Sequence, residues 1–317
     1  METKAIPKKR RKCLLWLAIA AICVAAAAIF LHIGSTRVVT IERQAHLPHL
    51  AAMDDGLRVA ILSDPHFGPD DAGRAAMLAE KLNATDPDII ILLGDFVDGT
   101  PDHRKCMPMA ELTRFARALR ARCGVFAVTG NHELWYGRDE VVAALREGGA
   151  TVLDNEFVTI ATPSGSPLQI VGMPDYSTEE PPEKFPAIDR ARPTLIMMHD
   201  ANSARYVPEG VDGLILSGHT HGGQLRFCPD GGDRTSIRLA VLRLKAKLGM
   251  LQPRKDNYVL FDRGFTEYNG HRIFITSGTG LSRLRLRIFC PPEVVLLKLR
   301  SDPDAVKNTF AKPEELK

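Results

Sequence analysis

No two of the six cysteines in this chain form a close-spaced pair: they are Cys13, Cys23, Cys106, Cys123, Cys228 and Cys290. That spacing excludes a zinc ribbon and a dense disulfide scaffold. One disulfide among the last four is compatible with it, but the spacing selects no partner. An excess of one charge is missing too. The 41 Lys and Arg residues face 38 Asp and Glu, for a net charge of +3. A near balance gives no global footprint for nucleic acid, so no nucleic-acid partner is expected. There is no internal repeat, no low-complexity tract and no sign of a second domain.

The amino terminus carries a strong signal. Lys4, Lys8, Lys9, Arg10, Arg11 and Lys12 form a basic flank over residues 1–12, followed by an uncharged stretch over 13–33. At the helical rise that stretch crosses a hydrocarbon core of about 30 Å. It reads as a retained transmembrane anchor or uncleaved signal. The rival reading is a cleaved signal peptide, with small residues around 25–28. Arg10-Arg11-Lys12-Cys13-Leu14 also has the outline of a twin-arginine export signal. The basic flank predicts a cytoplasmic amino terminus, with the remainder outside the cytoplasmic membrane. Export after cleavage and a cytoplasm-facing attachment are the alternatives. Residues 34–56 read as a linker, 57–300 as one large α/β domain with a full core, and 301–317 as a tail.

Within 57–300, five short apolar runs each end in a cluster of His, Asp or Asn. The runs are 57–63, 89–93, 125–129, 194–198 and 213–217. Near-continuous runs of that length predict buried strands of a sheet covered on both faces. The clusters are Asp64-Pro65-His66, Gly94-Asp95-Phe96-Val97-Asp98, Gly130-Asn131-His132-Glu133, His199-Asp200 and Gly218-His219-Thr220-His221-Gly222-Gly223-Gln224. Five of the ten histidines fall inside them. Any one cluster has a plain structural reading; Gly-Asn-His, for instance, is an ordinary strand-ending turn. Together they supply imidazole nitrogen, carboxylate and amide oxygen without thiolate, a donor set for Mn, Fe, Zn or Co. There are more donors than one tetrahedral ion needs. That points to two divalent metal ions sharing a carboxylate, a device of phosphoryl chemistry.

The ordered motifs Asp-x-His, Gly-Asp-x-x-Asp, Gly-Asn-His-Glu, His and Gly-His-x-His resemble those of the calcineurin-like metallophosphoesterases, over about residues 57–300. Gly218 to Gln224, together with Ser277-Gly-Thr-Gly-Leu281 and Phe289-Cys-Pro-Pro-Glu293, is similar to a membrane-tethered or exported bacterial phosphodiesterase subgroup. The UDP-2,3-diacylglucosamine pyrophosphatases are a related branch. The resemblance implies a four-layer αββα sandwich of two mixed sheets. It implies Asp64, His66 and His221 as ligands of one metal, and Asn131, His199 and His219 as ligands of a second, with Asp95 bridging. His132 matches the histidine near the scissile phosphate, and Asp98 the acid that orients it. Many members carry Arg after Gly-Asp-x-x-Asp; here Gly99-Thr100 follows. The expected activity is hydrolysis of phosphodiester or pyrophosphate bonds in a phosphorylated small molecule or a lipid-linked substrate. Action as the lipid A pyrophosphatase, or as a phosphomonoesterase or protein phosphatase, are the alternatives.

Helical periodicity predicts helices over 71–82, 109–122 and 138–146, and strands over 151–160, 168–171, 272–276 and 294–299. Residues 234–255 hold seven basic side chains and no acidic one, interleaved with Ile, Leu and Val. A solvated basic helix accounts for that pattern. So does an insert that meets membrane lipids or substrate through Arg238, Arg243, Lys245 and Lys247.

Overall fold

A computed structural model describes residues 8–99, 102–173, 175, 184–227, 236–247, 262–281 and 285–305. Helix α1 (Lys8–Thr36) contains a 23-residue apolar segment, Leu14–Thr36, that is exposed over most of its length and is long and apolar enough to cross a membrane. The stretch expected as a linker does more than connect. Its start is the last turn of α1, and β1 (Val39–His46) pairs in parallel with β12 (Glu293–Arg300) as an edge strand.

The first sheet runs β1-β12-β2-β3-β4-β5. Strands β2 (Arg58–Leu62), β3 (Ile89–Leu92), β4 (Val125–Ala127) and β5 (Thr151–Val152) are mutually parallel, and β12 is antiparallel to β2. The second runs β10-β11-β9-β8-β7-β6. Here β7 (Pro167–Gly172), β8 (Thr194–Met197), β9 (Leu214–Ser217) and β11 (His271–Ile275) are parallel. The edges β6 (Glu156–Ala161) and β10 (Gly264–Tyr268) run antiparallel to them. Both sheets are mixed, as expected.

Strand alternation sorts the side chains into layers. Val59, Ile61, Ile89 and Ile91 point between the sheets, where they meet Leu195, Met197, Leu214 and Leu216. Ala60, Leu62, Ile90 and Leu92 point outward, under α2 (Ala72–Asn83), α3 (Met109–Ala118) and α5 (Arg138–Glu147). Ile196 and Ile215 of the second sheet pack on Ala201, Ala204 and Val207, from a 3₁₀ segment and its exit. Among the described residues, the layer over that face is thus a 3₁₀ segment rather than a row of α-helices.

Local structure departs from expectation near the rim and between the sheets. The strand predicted over 151–160 is two strands in different sheets. Residues 153–155 turn the chain from one to the other, with Asn155 in the left-handed region at φ 51°. The Gly-Asn-His-Glu cluster opens a short helix, α4 (Asn131–Tyr136). Of the 234–255 stretch, Ile237–Lys247 forms α6, and the remainder lies outside the described residues except Ser236.

Candidate metal centre

The rim that gathers the clusters is shared between the sheets. β2, β3 and β4 deliver Asp64 and His66, Asp95, and Asn131 and His132; β8 and β9 deliver His199, and His219 and His221. Three sets of side chains bring one ligand atom each within 4.8 Å of one another: Asp64, His66 and His221; His66, Asp95 and His132; Asp95, His199 and His219.

The local backbone is unusual. Asp64, His66, Asp95, His219 and His221 all have positive φ, between 44° and 64°. That region is uncommon for residues other than glycine, and His and Asp tolerate it better than most. Such conformations persist where the surroundings fix them, and they cluster at functional sites. The glycines permit the crowding. A Cβ on Gly130 would run into Asp95 Oδ1, and one on Gly218 into Ser63 Oγ.

Asp95 lies at the middle. Its Oδ1 accepts the backbone N–H of His132 at 2.9 Å, while Oδ2 is 3.1 Å from His199 Nε2 and 3.6 Å from His66 Nε2. His199 donates from Nδ1 to the Leu93 carbonyl at 2.7 Å, which turns Nε2 toward the cluster. His66 Nε2 is 3.1 Å from His221 Nε2, and His219 Nδ1 is 3.1 Å from His199 Nε2. Nitrogens converging this way need a shared proton or a shared cation. The buried Asn131 Oδ1 has no hydrogen-bond partner. Converging lone pairs and an orphaned amide oxygen fit divalent ions of borderline softness.

Electrostatics agree. Burial pushes His66 below its usual pKa and His221 down to about 3, the opposing carboxylates notwithstanding, so both rings are neutral lone-pair donors at pH 7. Burial alone would raise the Asp95 carboxyl, but the charge and hydrogen bond of His199 outweigh it and hold Asp95 well below the carboxylate range. Burial opposes protonation of His199 too, and there the Asp95 charge prevails and raises it well above 6.5. A metal at His199 therefore displaces a proton.

Two supporting residues escaped the sequence reading. Glu133, fully buried, accepts backbone N–H bonds from Asp95 (2.8 Å), Phe96 (2.7 Å), Val97 (3.3 Å) and Gly130 (2.7 Å). It staples the Asp95 loop to the start of α4. Its signal was there: Glu three residues after the residue preceding a helix is a capping arrangement. Burial, helped by the Asp95 charge, raises its carboxyl to about 7 against the pull of those N–H donors. Glu133→Ala strands four buried N–H groups, each costing about 1–3 kcal/mol. The metal-free variant should lose at least about 3 kcal/mol in denaturant unfolding, allowing for relaxation. A wild-type midpoint would mean that other contacts hold the loops. The second residue is Arg287, buried behind His221. It donates to the carbonyls of Gly280 at 2.7 Å and Ser277 at 2.8 Å, and its Nη2 is 3.4 Å from His221 Nδ1.

Asp98 does not sit as expected. Its carboxylate is 3.6 Å from Arg285 Nη2, while His132 Nδ1 is buried without a hydrogen-bond partner. Gly99 occupies the space beside that nitrogen, where a Cβ would come within 2.5 Å. Partial exposure lets Asp98 turn to the cation instead. Arg238 also pairs within the domain: its Nη1 donates at 2.6 Å to Asp262, which is buried. The side chains of Arg243, Lys245 and Lys247 lie outside the described residues.

A two-sheet scaffold that aims buried imidazole, carboxylate and amide donors at one point is that of a metal-dependent phosphoric ester hydrolase. The chain belongs to the calcineurin-like phosphoesterases, whose family model matches residues 57–223. That family uses divalent metals, and the clustered His and Asp groups here are able to bind one. The chain is 28% identical over 254 residues to an uncharacterized metallophosphoesterase of Aquifex aeolicus, covering 77% of this chain and 85% of that one. It is 25% identical over 258 residues to the uncharacterized metallophosphoesterase YkuE of Bacillus subtilis, covering 78% and 80%. With the phosphodiesterase YaeI of Escherichia coli the identity is 31% over 223 residues, covering 67% and 70%.

Proposed function

We propose that this protein is a binuclear metallophosphoesterase that hydrolyses phosphodiester or pyrophosphate bonds of a lipid-linked substrate at a membrane. The observation that carries the two-metal reading is Asp95 Oδ2, which faces His66 on one side and His199 on the other. Asp64, His66 and His221 would hold one ion with Asp95; Asn131, His199 and His219 would hold the second. When bound, the ions lower the pKa of water and clamp the phosphoryl group. His132, partly exposed beside the cluster with Nε2 3.9 Å from Asp95 Oδ2, would protonate the leaving oxygen. The diester preference is supported by the E. coli relative's description as a phosphodiesterase. The membrane setting is supported by α1, read as a retained anchor with its basic end in the cytoplasm and the site outside.

The test is turnover of bis(p-nitrophenyl) phosphate and of p-nitrophenyl phosphate by the full chain in detergent. We expect cleavage of the diester, its loss on chelation, and its return with Mn or Zn. Diester cleavage that survives exhaustive chelation, or cleavage of the monoester alone, would contradict the reading.

A further inference from the structure

The anchor helix does not leave the domain as a free tether. Ser35, buried in the last turn of α1, accepts the Arg287 N–H at 2.8 Å and donates to the Leu31 carbonyl at 2.7 Å. Phe30 stacks edge-on against Phe289 with ring centres 6.3 Å apart. Arg287 is the same residue that backs His221. One short segment, residues 285–290, thus fixes α1 relative to the metal centre.

A cavity of about 280 Å³ lies where the two meet. Ser35 and Thr36 of α1 line it, with Pro65, His66, Asp98 and Leu281. We propose that the last turn of α1 is a wall of the substrate pocket, and that the pocket takes a phosphoester bearing a long alkyl or acyl chain that enters from the plane of the membrane. This rests on the phosphodiesterase reading above and specifies its substrate class.

Depth is the first argument. The apolar segment ends at Thr36, and Arg37 is the first charged residue after Lys12. At 1.5 Å per residue its 23 residues span about 34 Å, slightly more than a hydrocarbon core of about 30 Å. The last turn therefore meets the headgroup layer, and so does the cavity. Exposed apolar side chains next to the metal centre and to the segment that holds α1 give the second argument. Phe289, Phe227, Leu134 and Trp135 are large apolar side chains left exposed. Trp135 lies beside His132, with ring centres 4.8 Å apart. Leu225, two residues before Phe227, bridges to Ile288, next to Phe289. Trp side chains prefer that boundary. An amphiphile can keep its chain among lipids there while its phosphate reaches His66. Drawing it into water would cost more with every methylene. Arg285 and Lys105, both largely exposed cations lining the cavity, suit its anionic head.

The probes are ethyl p-nitrophenyl phosphate and hexadecyl p-nitrophenyl phosphate. Water adds across the same P–O bond in both, releasing p-nitrophenolate and the alkyl phosphate; only the chain differs. The full-length, metal-loaded protein is assayed in one micelle composition, with Thr36→Trp to fill the cavity and Thr36→Val as the conservative variant. In the wild type the long chain should raise kcat/KM about tenfold or more. Thr36→Trp should cut that ratio by about fivefold or more, with metal content as in wild type, and Thr36→Val should keep it. The micelle and the anchor are common to all three, so partitioning cannot mimic the loss. A ratio untouched by Thr36→Trp, or no chain preference in the wild type, overturns the proposal. Failure of the metal-loaded wild type to cleave either probe overturns the phosphodiesterase reading itself, and this inference with it.

Discussion

Replacing Asp95 by Ala should empty both metal positions at once and lower diester turnover by a factor on the order of 10³ or more, since a metal clamp contributes several kcal/mol at the transition state. The expectation follows from how the carboxylate is held. Oδ1 is occupied by the backbone N–H of His132, and Oδ2 alone faces His66 and His199. Loss of this group leaves His199 and His219 without a carboxylate in their set and removes the oxygen shared with His66. Asp64→Ala makes the contrast, because Asp64 is grouped with His66 and His221 and should serve one ion. Metal analysis of the two variants after identical loading separates the roles. Loss of a single ion from Asp95→Ala would show that the carboxylate does not bridge.

His132→Ala should behave differently: metal content close to wild type, and turnover lower by about 10²–10⁴, the range for a positioned acid. His132 lies edge-on to His66 with ring centres 4.4 Å apart, and its side chain is 20% exposed where the imidazoles of His66 and His199 are shut in. A group that must meet substrate needs that access. The deficit should shrink for esters with good leaving groups, which need little protonation. Gly99 bears on the same ring, since any side chain there would press on His132. An emptied metal site in His132→Ala would make it a ligand and remove it from the proton's path.

The scaffold was legible because buried parallel strands announce themselves. All five apolar runs are strands within a residue or two of their expected limits, and each ends at its cluster. The helices over 71–82 and 138–146 follow from apolar spacing and a closing Gly148-Gly149, and match within a residue. The helix expected over 109–122 stops at Ala118, where Leu119 turns to an extended conformation. What failed depended on contacts between distant segments. Residues 39–46 have no strong alternation because β1 is an exposed edge, and only β12 defines it. The break at 153–155 is imposed by the step between sheets, with Gly172 so close to Leu153 that a Cβ would clash. The orienting role of Asp98 toward His132 was implied by a resemblance; in the structure the carboxylate faces Arg285, far along the chain, at 3.6 Å. Arg287 had no local signal at all: its role exists only where the end of α1 meets His221.

The most direct test of the account is the number of divalent ions held per chain. Full-length protein, stripped with chelator, reloaded with Mn or Zn and freed of excess metal, should bind close to two ions per chain by elemental analysis. A value that stays near zero, or near one at saturating metal, would contradict the shared-carboxylate centre on which the mechanism depends.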